Sequence, residues 1–362
     1  MKLLVFAHTP PPVHGQSVMI ATLLEGLRGD PEVELLHVNP RLSRDAADIG
    51  RWRPGKIFAL LAACGRAWGL RLRHGTMAFY YVPAPGKRGA LYRDWLVMLL
   101  CRPCFRRLVL HWHAVGLGDW LACHATPPER WLTRVLLGRA DLAIVLAPEL
   151  SADAQALAPH QIAIVPNGVP DPGPPSIRTA QFQCEVLSLG LGSRSKGLFD
   201  TLEGVALAHA RMPKGFRLTF AGSFENAEDE REFQARSASL GPGVVRWVGF
   251  ANEAAKRELF STASVFCFPT SYPHEGQPLT LIEALAHDVP IITTRWRAIP
   301  GLLPPGHVWF VEPGRPDQIA DALLARTRRE GPPAGVLRAH YLAHFTREHH
   351  LAALAQALRA LP

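Results

Sequence analysis

The chain alternates short apolar runs with longer stretches whose apolar residues recur at helical spacing. Leu3–Ala7, Val33–Val38, Met77–Val82, Leu108–His113, Leu142–Leu146 and Ile162–Val165 read as strands in the first half. Glu185–Leu189, Phe216–Ala221, Val244–Val248, Val265–Phe268, Val289–Thr294 and His307–Val311 read as strands in the second. Between them the spacing predicts helices over Ser17–Leu27, Ala90–Cys101, Pro127–Gly138, Leu198–Arg211, Pro316–Thr327 and Thr346–Leu361. It also predicts a basic helix over 51–74 and another starting at Pro148. Near-continuous apolar strands belong to sheets covered on both faces, and strand–helix alternation makes those sheets parallel. The alternation breaks at the Pro- and Gly-rich residues 170–176 and then restarts, which predicts two α/β domains and a linker.

The most informative stretch runs from Phe268 to Thr294. It is a strand, a polar loop, a short helix carrying Leu279, Ile282 and Leu285, and a second strand. Pro278 suits the first turn of that helix. Ligands of open α/β sheets bind where such loops leave the carboxyl ends of strands, and helix N–H groups there favour anions. Glu275 lies in the loop and Glu283 in the second turn. A carboxylate accepts hydrogen bonds from vicinal hydroxyls, so this pair can hold two sugar rings on either side of a phosphate. The amides of Gly276, Gln277, Leu279 and Thr280, with Pro278 among them, would face that phosphate. Gly276 would let the backbone approach it closely. A capping box between Thr280 and Glu283 is the competing reading.

Other strand ends carry candidate chemistry. Gly190-Leu-Gly-Ser-Arg-Ser-Lys-Gly197 precedes a helix, and with Arg194 and Lys196 it is a diphosphate cradle or else a turn with solvated charges. It lacks the Gly-Lys-Ser/Thr ending of a Walker A loop. His8-Thr-Pro-Pro-Pro-Val-His-Gly-Gln16 has one glycine, Gly15, where a dinucleotide fingerprint needs three. His111 and His113 share a sheet face, and His113 is nearer the carboxyl edge. They can contact a ligand or be core histidines; no third ligand nearby supports a metal. Gly222-Ser223 and Gly249-Phe250 close two further strands.

A chain of 362 residues with 48% hydrophobic and 19% charged residues is globular and large enough for two cores. No apolar run approaches the roughly 20 residues of a spanning helix, and no signal-peptide pattern opens the sequence. A cytosolic protein is expected, with its six cysteines as free thiols, Cys101 and Cys104 included. The net charge of +8 is uneven. Residues 51–110 hold 12 basic residues and one acid, Asp94, interleaved with Trp52, Trp68 and Trp95. That composition suits an anionic membrane surface, or a solvated face whose arginine stems cover apolar atoms. It also permits a nucleic-acid-binding module, but no nucleic-acid motif accompanies it.

The stretch 275–283 resembles the glutamate–seven residues–glutamate motif of retaining glycosyltransferases, family 4 in particular. Lys196-Gly197 and Val165-Pro-Asn-Gly-Val169 also resemble family motifs. The resemblance implies the GT-B architecture: two facing Rossmann-like domains with an interdomain cleft. The domains would be 1–168 on the acceptor side and 169–345 on the nucleotide-sugar side, with 346–362 a helix crossing back. Glu275 would bind hydroxyls of the transferred sugar, Glu283 the nucleotide ribose, and His113 the sugar from the facing domain. Gly15 and Gln16 would face the cleft, and Gly222, Ser223 and Phe250 the base. Lys196 would neutralise the leaving diphosphate. Leu191 stands where the family has an arginine, and Arg194 is the candidate to replace it. Gly15-Gln16 stands where two glycines are usual.

The implied activity is retaining hexosyl transfer from a nucleotide-diphosphate sugar, with no cofactor and no divalent metal. A lipid-linked saccharide acceptor in surface polysaccharide biosynthesis is expected, on an enzyme docked peripherally on the inner face of the membrane. A GT-B epimerase and a transferase with a soluble acceptor are the alternatives.

Overall fold

A computed structural model describes residues 1–42, 53–174, 183–213 and 215–361. The chain divides into two compact units. The first comprises Met1–Asn167, the short segment His274–Gln277 and the chain from Arg347 onward; the second comprises Gly168–Pro273 and Pro278–Thr346.

The first unit holds a parallel sheet of β1 (Lys2–Phe6), β2 (Glu34–Val38), β3 (Ala78–Tyr81), β4 (Arg107–His111), β5 (Leu142–Val145) and β6 (Ile162–Ile164). Their order is β2-β1-β3-β4-β5-β6, so the chain reverses direction across the sheet at β1/β3. Successive residues of β1 serve opposite faces, as the two-residue period demands. Leu4 and Phe6 join Leu60, Ala63, Ala67, Met98 and Leu137 in one core, under the helices Pro54–His74, Arg88–Cys101 and Pro127–Leu137. Leu3 and Val5 join Ile20, Leu23, Leu354 and Leu358 in the other, under the helices Gly15–Gly26 and Arg347–Arg359. The last helix is tied to the N-terminal region by Arg347–Glu25 and Arg359–Asp30 ion pairs. Its Leu351 fills the space a side chain on Gly26 would need.

The second unit repeats the plan with β7 (Cys184–Leu189), β8 (Phe216–Ala221), β9 (Val245–Trp247), β10 (Val265–Phe268), β11 (Ile291–Thr294) and β12 (Trp309–Val311). The order β12-β11-β10-β7-β8-β9 places the reversal at β7/β10. The helices Leu198–Arg211 and Pro316–Thr327 cover one face. The helices Leu279–Ala286 and Val336–His344 cover the other.

Several local expectations are corrected. The strand read over Leu108–His113 ends at His111, and Trp112 adds one more bond to the Ile144 carbonyl at 2.8 Å. The helix expected from Pro148 is a 3-10 turn, Pro148–Leu150, followed by the one-turn helix Ala152–Gln155. Of the helix read over 51–74, Pro54–His74 is observed; Arg51 and Trp52 lie outside the described residues, as do Pro175 and Ser176 of the linker. The helices Ala227–Ser239 and Glu253–Thr262 are not legible from apolar period, because Phe233 and Phe260 are their only buried apolar residues. All six cysteines are free, with Cys101 buried and Cys104 exposed. Among the described residues no helix is long and apolar enough to cross a membrane.

Candidate active site

In the second unit the loops leaving β7 and β10 meet at the topological switch point. Gly197 has φ +78°, and a side chain there would stand 2.3 Å from the Pro269 carbonyl oxygen, so the two loops touch backbone to backbone. The Ser195 carbonyl accepts from Ser271 N at 2.8 Å, and the Thr270 hydroxyl donates to it at 3.3 Å. Lys196 Nζ lies 4.4 Å from the centre of the Tyr272 ring, a cation–π distance. The other basic residue of the loop is paired elsewhere in this structure. Arg194 pairs with Glu232 of the helix Ala227–Ser239, and its guanidinium stacks over Phe199 at 4.7 Å. Leu191, at the position of the family's arginine, is exposed.

The ends of β7, β8 and β9 are stitched by glycines. A side chain on Gly222 would collide with the Gly190 carbonyl oxygen at 1.8 Å, so only glycine lets these strand ends close. Gly222 N donates to Gly249 O at 2.8 Å, and Gly192 N donates to Ser223 O at 2.8 Å. Phe250, next in the chain, is 68% exposed and presents an aromatic ring beside them.

Glu283 projects from the helix Leu279–Ala286, whose N-cap is Pro278 with no side-chain cap. The capping box with Thr280 therefore does not form. Lys256, from the helix Glu253–Thr262, donates to Glu283 Oε1 and also pairs with Glu253. Burial raises the Glu283 pKa, with Lys256 opposing. Glu283 Oε2 is buried with no hydrogen-bond partner among the described residues, an acceptor suited to a hydroxyl. Sequence reading missed Lys256. Asn252, which caps its helix by accepting from Ala255 N at 2.9 Å, was a local signal for the helix but not for the pairing.

The first unit gathers a second set. The segment 274–277 lies along the residues that follow β4. The His274 ring and the Val115 carbonyl are hydrogen-bonded at 2.8 Å, and a side chain on Gly276 would stand 2.4 Å from the His113 carbonyl oxygen. The close approach that Gly276 permits in this structure is thus to His113. Glu275 and Gln277 on either side are buried. Asn167, beyond β6, holds Gln277 by two bonds: its N–H donates to Oε1 at 2.6 Å and its Nδ2 to the Gln277 carbonyl at 3.0 Å.

The same edge of the sheet is rich in neutral histidine. His113 has its pKa lowered to about 3, by burial first and then by His350 and His14. Its Nε2 is buried with no partner among the described residues. His111 packs against it with ring centres 4.1 Å apart and planes tilted by 33°, and shares a hydrogen bond with the Tyr80 hydroxyl. His14 caps the helix that begins with Gly15 and Gln16, and burial lowers its pKa to about 4. His350 bonds the Pro166 carbonyl at 2.7 Å. His14, His350 and Asn167 belong to this set and were not singled out from sequence, since their neighbours are distant in the chain. Among the described residues no group of three or more His, Cys, Asp or Glu is arranged to hold a metal ion.

Residues 184–327 match the family model described as Glycosyl transferases group 1. A comparison with curated proteins finds no match. Among solved structures, sucrose-phosphate synthase from Thermosynechococcus elongatus is similar over 100% of this chain and 99% of its own, with a TM-score of 0.76 at 19% identity. Anabaena Alr3699/HepE, in a complex with UDP-glucose, is similar over 99% of this chain and 100% of its own, with a TM-score of 0.70 at 15% identity. The lipopolysaccharide outer core galactosyltransferase WaaB is similar over 99% of both chains, with a TM-score of 0.66 at 14% identity. A group 1 glycosyltransferase sequence match thus spans most of the second unit, and the chain has the two-sheet α/β GT-B fold of these structures.

Proposed function

We propose that the protein transfers a sugar from a nucleotide-diphosphate sugar to an acceptor hydroxyl with retention at the anomeric carbon. The observation that carries this reading is the meeting of the β7 and β10 loops at the switch point of the second unit. Lys196 stands over Tyr272 there, and Glu283 offers an acceptor oxygen from the adjoining helix. Lys196 and the amides at the start of the helices Leu198–Arg211 and Leu279–Ala286 stabilise charge as it develops on the departing diphosphate. Glu283 Oε2 accepts from a ribose hydroxyl, and Phe250 with Gly222 and Ser223 borders the base. Glu275 accepts from hydroxyls of the transferred sugar. His113, neutral because burial holds its pKa down, supplies a hydrogen-bonding nitrogen rather than a charge. Arg194 is engaged with Glu232, so the cationic role falls on Lys196. The proposed transfer is independent of a divalent cation, which turnover in chelator tests.

The donor reading is supported by similarity to a protein solved with UDP-glucose, and a glycolipid acceptor by similarity to an outer core galactosyltransferase. Similarity to sucrose-phosphate synthase supports a soluble acceptor instead. The basic block of the first unit favours a lipid-linked saccharide of surface polysaccharide assembly, met at the inner face of the membrane. The test is incubation with UDP-, GDP- and ADP-sugars in chelator, with and without a lipid acceptor fraction. Release of nucleoside diphosphate and an α-linked product from an α-linked donor are expected. Complete dependence on added metal, or a changed nucleotide sugar without acceptor, would overturn the reading.

A further inference from the structure

Three helices lie side by side on one face of the first sheet: Pro54–His74, Arg88–Cys101 and Pro127–Leu137. Trp68 Nε1 donates to Leu100 O at 2.9 Å across the first pair, and Trp95 Nε1 donates to Thr133 Oγ1 at 3.0 Å across the second. Their inner faces fill the core. Their outer faces are apolar as well. Ile57, Leu61, Trp68 and Leu72 are exposed at spacings of four, seven and four residues, which is one stripe along Pro54–His74, and Phe58 widens it. Phe58 is 72% and Leu72 86% exposed; Leu99 on the second helix and Trp131 on the third are 61% and 65% exposed. A helix with two apolar sides normally sits between two apolar layers.

The exposed charges of these three helices have one sign. Pro54–His74 contains no acidic residue. Arg88–Cys101 has only Asp94 and Pro127–Leu137 only Glu129. Both carboxylates are buried, and each is held by an arginine: Asp94 by Arg93 at 2.8 Å, with Tyr81 and Ala84 N, and Glu129 by Arg88 at 3.0 Å, with Tyr92. Burial removes the only negative groups of the three helices from the outer surface. Arg66, Arg73 and Arg134 remain there, all exposed.

We propose that this three-helix face is where the protein seats itself on an anionic lipid bilayer, inserting the Phe58–Leu72 stripe to the depth of the headgroups. The reading rests on the proposed lipid-linked acceptor, but it assigns the contact to a defined face and to apolar insertion as well as to charge. Aromatic and aliphatic residues beside arginines, with no exposed acid on the three helices, complement the chemistry of that interface. A second protein would equally bury the apolar stripe, but a face whose exposed charges are all positive selects a partner that is uniformly negative.

The experiment is flotation of the full chain with vesicles of phosphatidylcholine, alone or with phosphatidylglycerol, at low and high salt. Nucleoside diphosphate release from the donor is followed in parallel without vesicles. Wild type should float only with phosphatidylglycerol. F58E/L72E should lose at least tenfold in binding even at low salt, with melting and vesicle-free donor turnover unchanged. R66E/R73E should lose binding most at intermediate salt. If F58E/L72E fails to fold, L99S/W131S tests the same face. Wild type that ignores phosphatidylglycerol vesicles, apolar variants that bind as wild type does, or a dimer dissolved by F58E/L72E would overturn the proposal. Donor turnover without vesicle binding would sink this inference and leave the glycosyl-transfer reading standing; vesicle binding without turnover would do the reverse.

Discussion

Asn167 makes two hydrogen bonds to one residue, Gln277: the backbone amide donates to the side-chain oxygen at 2.6 Å and the side-chain amide to the backbone oxygen at 3.0 Å. Both residues are buried. A pair of bonds at different atoms fixes the orientation as well as the position of the residue held. Glu275, two positions earlier, is therefore carried on a segment anchored at Gln277 and against His113. Asn167→Asp keeps the size of the side chain but sets a carboxylate oxygen against the Gln277 carbonyl. It should cost about 1–3 kcal/mol of stability, read from urea unfolding. Turnover should fall beyond what lost folding explains, and Asn167→Ser should restore neither.

Gly276 and Gly65 predict opposite outcomes for the same substitution. Gly276→Ala places a methyl 2.4 Å from the His113 carbonyl oxygen, an atom held in the backbone. The segment must shift, taking Glu275 with it, so kcat should fall by at least tenfold. Gly65 lies exposed within the helix Pro54–His74 with nothing within 4 Å of an added methyl. Gly65→Ala should raise stability by about 0.5–1 kcal/mol, through the lower helix propensity of glycine. Thermal melting and donor turnover on both variants check the pair.

Lys196 and Arg194 share a loop but not an environment. Lys196 stands over Tyr272 beside the Pro269–Pro273 loop, whereas Arg194 is committed to Glu232 and Phe199. Lys196→Ala should lower kcat by about 100- to 1,000-fold, the scale for removing one group that stabilises developing charge. Arg194→Ala should change kcat less than threefold and lower melting slightly. Equal losses in steady-state assays would show that Arg194 leaves Glu232 when the donor binds.

Acid should unfold the first unit earlier than its carboxylates require. His14, His111, His113 and His350 all have pKa values lowered by burial from the ordinary 6.5, to about 4 for His14 and about 3 for His113. Between 6.5 and those values the unfolded chain binds protons that the folded chain excludes. Stability is complete above pH 6.5 and falls as pH drops toward 4. Melting followed from pH 8 to 4 should show this decline, and His113→Gln should flatten it. A curve that stays level to pH 5 would contradict the burial of these rings.

Lys256→Met tests the proposed ribose site. It leaves the Glu283 carboxylate buried without its cation, and should cost about 3 kcal/mol in urea unfolding, the low end for a broken pair because neither side chain is wholly dry. Glu283→Gln should be milder in stability and should raise KM for the donor more than it lowers kcat. A kcat defect with unchanged KM would move Glu283 from nucleotide binding to the reacting centre.

The sequence alone determined the elements whose cause is local. Val265–Phe268, Phe216–Ala221, Leu198–Arg211 and Pro316–Thr327 have the same bounds in the pattern and in the structure. An apolar run, a helical period, a proline or a glycine acts through its immediate neighbours, so their effect is visible in the string. The position of the loops proposed to bind sugar and phosphate was also legible, because strand–loop–helix order places them at carboxyl strand ends. The tertiary structure decided what depends on residues far apart in the chain. It ended β4 at His111, turned Arg194 to Glu232, paired Lys256 with Glu283 and put Gly276 against His113. It also buried Asp94 and Glu129 while leaving Phe58 and Leu72 exposed, although charge and hydropathy favour the reverse. A side chain's partner is fixed by packing across the sheet, and period carries no information about which residue stands opposite.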